Sequence, residues 1–408
     1  MRLAFRAQAL GPLRNVDWTI PEGVSVIVGP NRVGKSTLLR LPEFVRLALA
    51  EGVAAAVKTV FEGGGTLRNL ASDPADPCSV GIGFDIADWD LDLAVSNGAI
   101  PEYCGETLRV DGSVQLLREP GTLKGRSLHT PVTLGPRPIP AICIERVRRF
   151  LPPPTKMPRI ENRSEAEEAF RARASALAPF DPIGVLYGTL IAAAIDHCLC
   201  YRTGHYQIPH ILKYGSPHSP DMVLHRSGEN VFPLLRNWRD RSDTRERYDF
   251  VFSTLREAFP DIEKVSFEQA GQTVTLAVQD RRWGGNRVPI SRESTGLITA
   301  LLQLCAVASG AAGGLVTIDG IEVSLHPHAL RVLIQAFRQW AAAHDLRIVL
   351  ATQSETVLRA FTDDVGQLHV LDASPAPAPR PLASVLEPDT LAGLSPADLL
   401  ARIAGPHE

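Results

Sequence analysis

No apolar run in this chain of 408 residues is both long and unbroken. The stretch Ile183–Ile195 ends at Asp196-His197 and is too short to span a bilayer. The longer stretch, Leu297–Ile318, is cut by Gly310 and Gly313-Gly314, so it reads as a buried helix, a turn and a buried strand. Met1–Arg6 lacks the apolar stretch of a signal peptide. A cytoplasmic protein with no membrane part is therefore expected. Excess charge is scarce too. A net charge of −3 argues against a protein that simply coats nucleic acid, while leaving a local basic patch open. The six cysteines (Cys78, Cys104, Cys143, Cys198, Cys200 and Cys305) are scattered, which suits reduced thiols better than a disulfide framework. Cys198 and Cys200 lie near His197 and His205, but Cys-x-Cys is poor metal spacing and no zinc site is expected. No heptad repeat is sustained, which excludes a long coiled-coil arm.

What is present is an ordinary globular composition, 45% hydrophobic and 21% charged, in a chain long enough for two or three domains. Within it stands Gly29-Pro30-Asn31-Arg32-Val33-Gly34-Lys35-Ser36-Thr37, a G-x-x-x-x-G-K-S phosphate-binding loop. Val24–Val28 before it is a buried-strand pattern, and Leu38 onward can form a helix, so both flanks suit such a loop. Backbone N–H groups from Gly29 and Asn31 through Gly34 to Thr37 can wrap phosphates, Lys35 can neutralise them, and the Ser36 hydroxyl can ligate Mg²⁺. Arg32 would be strained if its φ were positive. Pro42 predicts a kink or break in the following helix.

Three lobes are expected. Residues 1–119 hold the phosphate loop and an antiparallel β-subdomain of short alternating segments, with Asn97-Gly98 and Asp111-Gly112 as hairpin turns. Residues 120–285 comprise a connector around Pro152-Pro153-Pro154, a mostly helical stretch whose capped start is Ser164–Glu168, and a hairpin-like return to strand at Val265–Phe267 and Thr273–Val278. Residues 286–408 alternate helix and buried strand. Here Leu315-Val316-Thr317-Ile318-Asp319 ends a buried strand on an acid suited to organising Mg²⁺. A second buried strand, Arg347–Thr352, leads into Gln353-Ser354, and a helix over 328–343 separates the two.

Ile318-Asp319-Gly320-Ile321-Glu322-Val323-Ser324-Leu325-His326-Pro327 resembles the extended Walker B segment of ABC-type ATPases, closest to those of the OLD, RecF and SMC-like group. Glu293-Ser294-Thr295-Gly296 resembles that group's signature motif, and Thr352-Gln353-Ser354 its switch segment. Ser227-Gly228-Glu229-Asn230 before a helix and Phe259-Pro260 after it also recur in these proteins. The resemblance implies an α/β ABC-type P-loop ATPase head with a mixed sheet, an antiparallel β-subdomain and an inserted helical lobe. It implies ATP and Mg²⁺ as cofactors, the metal held by Ser36 and Asp319. It also implies a homodimer in which Ser294 and Gly296 cap the nucleotide of the partner. Ser294 can equally be a helix N-cap, and the two roles are compatible.

The pattern breaks at position 320, where the water-polarising acid of the motif is replaced by glycine. General-base help is typically worth about 10²–10⁴-fold, so slow turnover is expected, with Glu322 and Gln353 as candidate helpers. Gly320→Glu would restore the acid. The implied function is a nucleotide-dependent dimerising ATPase in phage defence or DNA maintenance. The alternative is a non-hydrolysing ATP sensor or scaffold that gates a separate effector protein. No nuclease constellation is visible, and an ATP-binding transporter subunit is disfavoured by the missing Leu-Ser-Gly-Gly-Gln signature. Nucleic acid is a candidate partner through Arg146, Arg148, Arg149, Lys156 and Arg159, or through Arg236, Arg239 and Arg241, though solvated faces explain such runs more often. Gly63-Gly64-Gly65 with Thr66–Asn69 reads either as a γ-phosphate-sensing loop or as a surface hairpin.

Overall fold

The computed structural model describes residues 2–61, 78–94, 102–119, 122–125, 132–133, 182–372, 378–385 and 398. The Gly63–Asn69 segment, the Asn97-Gly98 turn, the triple proline, Ser164–Glu168 and the Arg146–Arg159 basic stretch lie outside these residues. The chain divides into two compact units, each assembled from separate segments. Unit 1 comprises residues 1–20, 30–198 and 371–380; unit 2 comprises 21–29, 199–370 and 381–408.

Unit 1 is built on an eight-stranded sheet of order β2-β1-β4-β5-β6-β7-β8-β9. Its strands are β1 (Leu3–Leu10), β2 (Leu13–Thr19), β4 (Cys78–Phe84), β5 (Ala87–Ala94), β6 (Glu102–Val110), β7 (Ser113–Glu119), β8 (Thr122–Gly125) and β9 (Val132–Thr133). The predicted antiparallel region is present. In β2, Leu13, Val16 and Trp18 are buried while Arg14, Asn15, Asp17 and Thr19 face out, the pattern of a strand with one dry face. Asp111 and Gly112 both take positive φ (50° and 71°), as a two-residue hairpin turn of the predicted kind requires. Buried Trp89 donates its indole N–H to Glu106 (2.7 Å), which gives that buried carboxylate a partner.

Among the described residues, the helices of unit 1 are α1 (Lys35–Leu39), α2 (Leu41–Glu51), α3 (Val53–Phe61) and α4 (Pro182–Asp196). The break expected near Pro42 falls at Arg40, and the proline sits in the first turn of α2, where its missing N–H costs nothing.

Unit 2 carries a six-stranded sheet of order β10-β15-β16-β3-β17-β18. Its members are β3 (Gly23–Val28), β10 (Cys198–Arg202), β15 (Leu315–Asp319), β16 (Arg347–Ala351), β17 (Leu368–Val370) and β18 (Arg380–Pro381). Strands β15, β16, β3 and β17 pair in parallel. A second, antiparallel sheet joins β11 (Ser216–Pro217), β12 (Ile262–Ala270), β13 (Thr273–Asp280) and β14 (Arg287–Pro289). The hairpin expected at 265–278 is the β12–β13 pair.

The helices of unit 2 are α5 (Ile208–Tyr214), α6 (Val231–Asp240), α7 (Arg245–Ala258), α8 (Thr295–Ala308), α9 (Pro327–His344) and α10 (Glu355–Arg359). Helix α8 is buried on every side from Leu297 to Ala308, which explains its uniformly apolar sequence. The stretch expected to be mostly helical also contains a strand, β10. Its five residues, Cys-Leu-Cys-Tyr-Arg, follow directly on α4 and show no strong alternation. Among the described residues, no helix is long and apolar enough to cross a membrane.

Candidate nucleotide site

Parallel pairing sets Ala351 opposite both Asp319 and Ile27. The carboxyl ends of β15, β16 and β3 therefore lie along one edge of the sheet, the edge where open α/β sheets bind ligands. Asp319 is the last residue of β15, the Thr352-Gln353-Ser354 segment follows β16, and Gly29 opens the phosphate loop directly after β3.

The remainder of that loop belongs to unit 1. Arg32 has φ +68°, so the larger residue does occupy the left-handed region. Gly34 has φ +106°, and a Cβ there would come within 2.7 Å of Leu13, so both backbone and packing demand glycine. Helix α1 begins at Lys35, three residues before the predicted Leu38. The Lys35 Nζ donates to the Pro30 carbonyl (2.7 Å), which keeps the ammonium against the loop's own backbone. Ser36 and Thr37 stand in the first turn, half-buried, and Asn31 is exposed.

The unit-2 residues form a tied group. Asp319 is mostly buried, and Arg202, at the end of β10, brings its Nε within 3.8 Å of the carboxylate. Gly320 follows with φ +78° and donates its N–H to Ala351 O (3.1 Å). The Glu322 carboxylate accepts from the Thr352 hydroxyl (2.9 Å) and from the Gln353 N–H (3.1 Å). The two candidate helpers are thus brought together, with Glu322 holding the backbone of the switch segment. Gln303, buried on α8, donates from Nε2 to Ile321 O (2.9 Å) and Thr203 Oγ1 (3.3 Å).

Ser294 caps α8, its hydroxyl accepting from Leu297 N (3.3 Å), and the residue itself is exposed. The N-cap role is therefore real and leaves the side chain reachable. At Gly296 a Cβ would sit 2.7 Å from the Ser324 carbonyl, and Ser324 itself has φ +64°. The signature glycine is required by close approach of the Walker B loop to the start of α8. Glu293, just before, has a side chain only 4% exposed. One of its oxygens accepts from Arg282 (3.2 Å) and the other is buried without a partner. Burial pushes this carboxyl above the usual range, Arg282 opposing the shift and Asp280 adding to it. Arg282 also pairs with Asp280, whose side chain is closed from solvent and whose pKa that pairing lowers.

The Ser227–Asn230 motif has a structural role. Fully buried Asn230 accepts from His225 N (2.8 Å) and donates to Val223 O (3.0 Å), and Gly228 (φ +73°) lets the turn approach Leu302 of α8. Arg236 donates to Gln269, Arg239 to Asp240 and Arg241 to Asp243, so these three arginines have local partners. Sequence reasoning missed Arg202, Thr203 and Gln303. The Tyr201-Arg202-Thr203-Gly204 turn after a short apolar run was the available signal, and it is weak.

Residues 205–359 match a family model described as an AAA domain, putative AbiEii toxin, type IV toxin–antitoxin system. No curated protein matches the chain. Among solved structures, the chain is similar to an SMC head bound to the C-winged helix domain of ScpA (TM-score 0.48, 10% identity, covering 90% of this chain and 92% of that one). It is similar to an SMC head domain from Thermotoga maritima (TM-score 0.44, 13% identity, 94% and 99% covered). A third likeness is to the SMC head with an extended coiled coil, bound to the C-terminal domain of ScpA derived from Pyrococcus furiosus (TM-score 0.45, 11% identity, 92% and 94% covered). Residues 205–359 thus match an AAA-domain family model, in a chain whose phosphate loop leaves β3 and whose strand β15 ends on an acid.

Proposed function

We propose that the chain binds ATP with Mg²⁺ and uses the nucleotide to dimerise, hydrolysing it slowly. The observation that carries this reading is the common sheet edge at which Asp319, the switch segment and the start of the phosphate loop all arise. The donor set fits the cofactor: Asp319 and Ser36 offer hard oxygen ligands of the type Mg²⁺ prefers, and Lys35 offers a phosphate counter-charge. When bound, the metal would supply positive charge that offsets the charge of the phosphates. Ser294, capping α8 yet exposed, is suited to meeting the phosphate of a second subunit.

Slow hydrolysis follows from position 320, which has no side chain to orient water. Glu322 already serves the switch segment as an acceptor, and Gln353 can orient a water without accepting its proton. The same features support a second reading, an ATP sensor that holds and releases an effector protein without turnover. The description of the matched family, with its putative toxin, is in keeping with a role in defence; DNA maintenance is the other setting proposed.

The test is ATP binding and turnover by the purified chain with Mg²⁺, beside Lys35→Ala. ATP binding that Lys35→Ala weakens at least tenfold is expected, and saturation near 100 times Kd should stabilise the fold by about 2.7 kcal/mol. Slow turnover above the variant's supports the ATPase; binding with turnover equal to the variant's supports the sensor. Failure of the unmodified chain to bind ATP would overturn both.

A further inference from the structure

We infer that Arg202 is a positioning residue of the nucleotide site, a built-in cation on Asp319 that Mg²⁺ must displace. The inference rests on the ATP·Mg²⁺ reading above. Asp319 is 17% exposed and ends β15, while Arg202 ends the adjacent strand β10 with its Nε 3.8 Å away. A carboxylate withdrawn from water needs a counter-charge, and the guanidinium supplies it. Glu322, three residues on, is an acid, and its oxygens are engaged by Thr352 and Gln353.

The guanidinium also faces His205, its Nη1 lying 3.1 Å from the ring Nε2. A guanidinium can only donate, so His205 accepts at Nε2 in this arrangement and carries its proton on Nδ1. That contact gives the guanidinium a second partner besides the acid. A divalent cation on Asp319 would repel a guanidinium held this close. Arg202 is 41% exposed and long enough to swing outward. Metal entry and displacement of the β10 arginine are then a single exchange, and the arginine raises the Mg²⁺ concentration at which the site loads.

The experiment is an Mg²⁺ titration of fluorescent ATP-analogue binding at fixed analogue concentration, with the full chain and with Arg202→Ala, Arg202→Gln and Arg202→Lys. Thermal melting of each variant identifies any that fails to fold. Loss of the competing charge should lower the half-saturating Mg²⁺ by about two- to fivefold in the Ala and Gln variants, the range spanned by exposed ion pairs. Arg202→Lys, which keeps the charge, should stay near the unmodified value. Half-saturation that is unchanged or raised in folded Ala and Gln variants overturns the inference while leaving the nucleotide reading intact. Absence of analogue binding by the unmodified chain at any Mg²⁺ concentration overturns the nucleotide reading, and the inference with it.

Discussion

At Glu322 the carboxylate accepts from a hydroxyl and a backbone N–H of the segment that follows β16. Hydrogen bonds to a charged group contribute roughly 1.5–3 kcal/mol. Glu322→Ala is therefore expected to lose about 1.5–3 kcal/mol in urea denaturation, with Glu322→Gln losing less because its amide oxygen still accepts one bond. Equal stability of all three proteins would show that the carboxylate does not hold the switch segment. The motif residues themselves were legible in the sequence, since Lys35, Ser36, Asp319, Glu322 and Gln353 sit in short strings with fixed spacing. The condition for strain at Arg32, a positive φ, is also met, at +68°. What these residues touch was not legible. That Arg202 meets Asp319 depends on strand order across more than a hundred residues, and that Glu322 meets Thr352 and Gln353 depends on the pairing of β15 with β16.

Helix α8 joins the signature to the Walker B loop at the scale of elements. Its first turn admits the Ser324 carbonyl because residue 296 has no Cβ, and its Gln303 fixes the Ile321 carbonyl. Its entrance is set by Glu293, a buried acid with one unpartnered oxygen. A carboxyl whose pKa is raised by folding contributes stability below its unfolded value, and that contribution is lost as pH rises through the folded value. Glu293→Gln is neutral at every pH and escapes the loss. Its melting temperature relative to the unmodified chain should therefore rise between pH 4 and pH 8, followed by thermal denaturation across that interval. A difference that stays flat or falls would show that Glu293 is comfortably ionised through its pairing with Arg282. Apolar α8 could be read from its unbroken apolar run and amphipathic α9 from its periodicity, whereas β10 could not. Its five residues give the pattern too few repeats to declare itself.

At the scale of the whole molecule, neither unit is a contiguous piece of chain. The region matched by the AAA model, residues 205–359, contains β15 and β16 but omits β3, their neighbour in the parallel sheet. Strand β3 lies between β16 and β17 and contributes Val24, Val26 and Val28 to the unit-2 core. A fragment of residues 199–385 would leave β16 and β17 with facing, unpaired edges. Such a fragment is expected to show no cooperative thermal transition by circular dichroism, in contrast to the full chain. A sharp transition in the fragment would mean that β3 is dispensable to the sheet.

Gly320 has a consequence for what this chain could become. Its φ of +78° is a conformation that costs an ordinary L-residue roughly 1–2 kcal/mol, and a Cβ there would press on Val323 at 3.3 Å. Putting glutamate back is thus not the cost-free restoration that the motif suggests, because the side chain would carry that backbone strain and press on Val323. Asparagine and aspartate, which tolerate that region best, are the acidic or near-acidic routes left open. The glycine thus makes the return of an acid costlier than the motif alone suggests, and aspartate is the acid that this turn accepts at least cost.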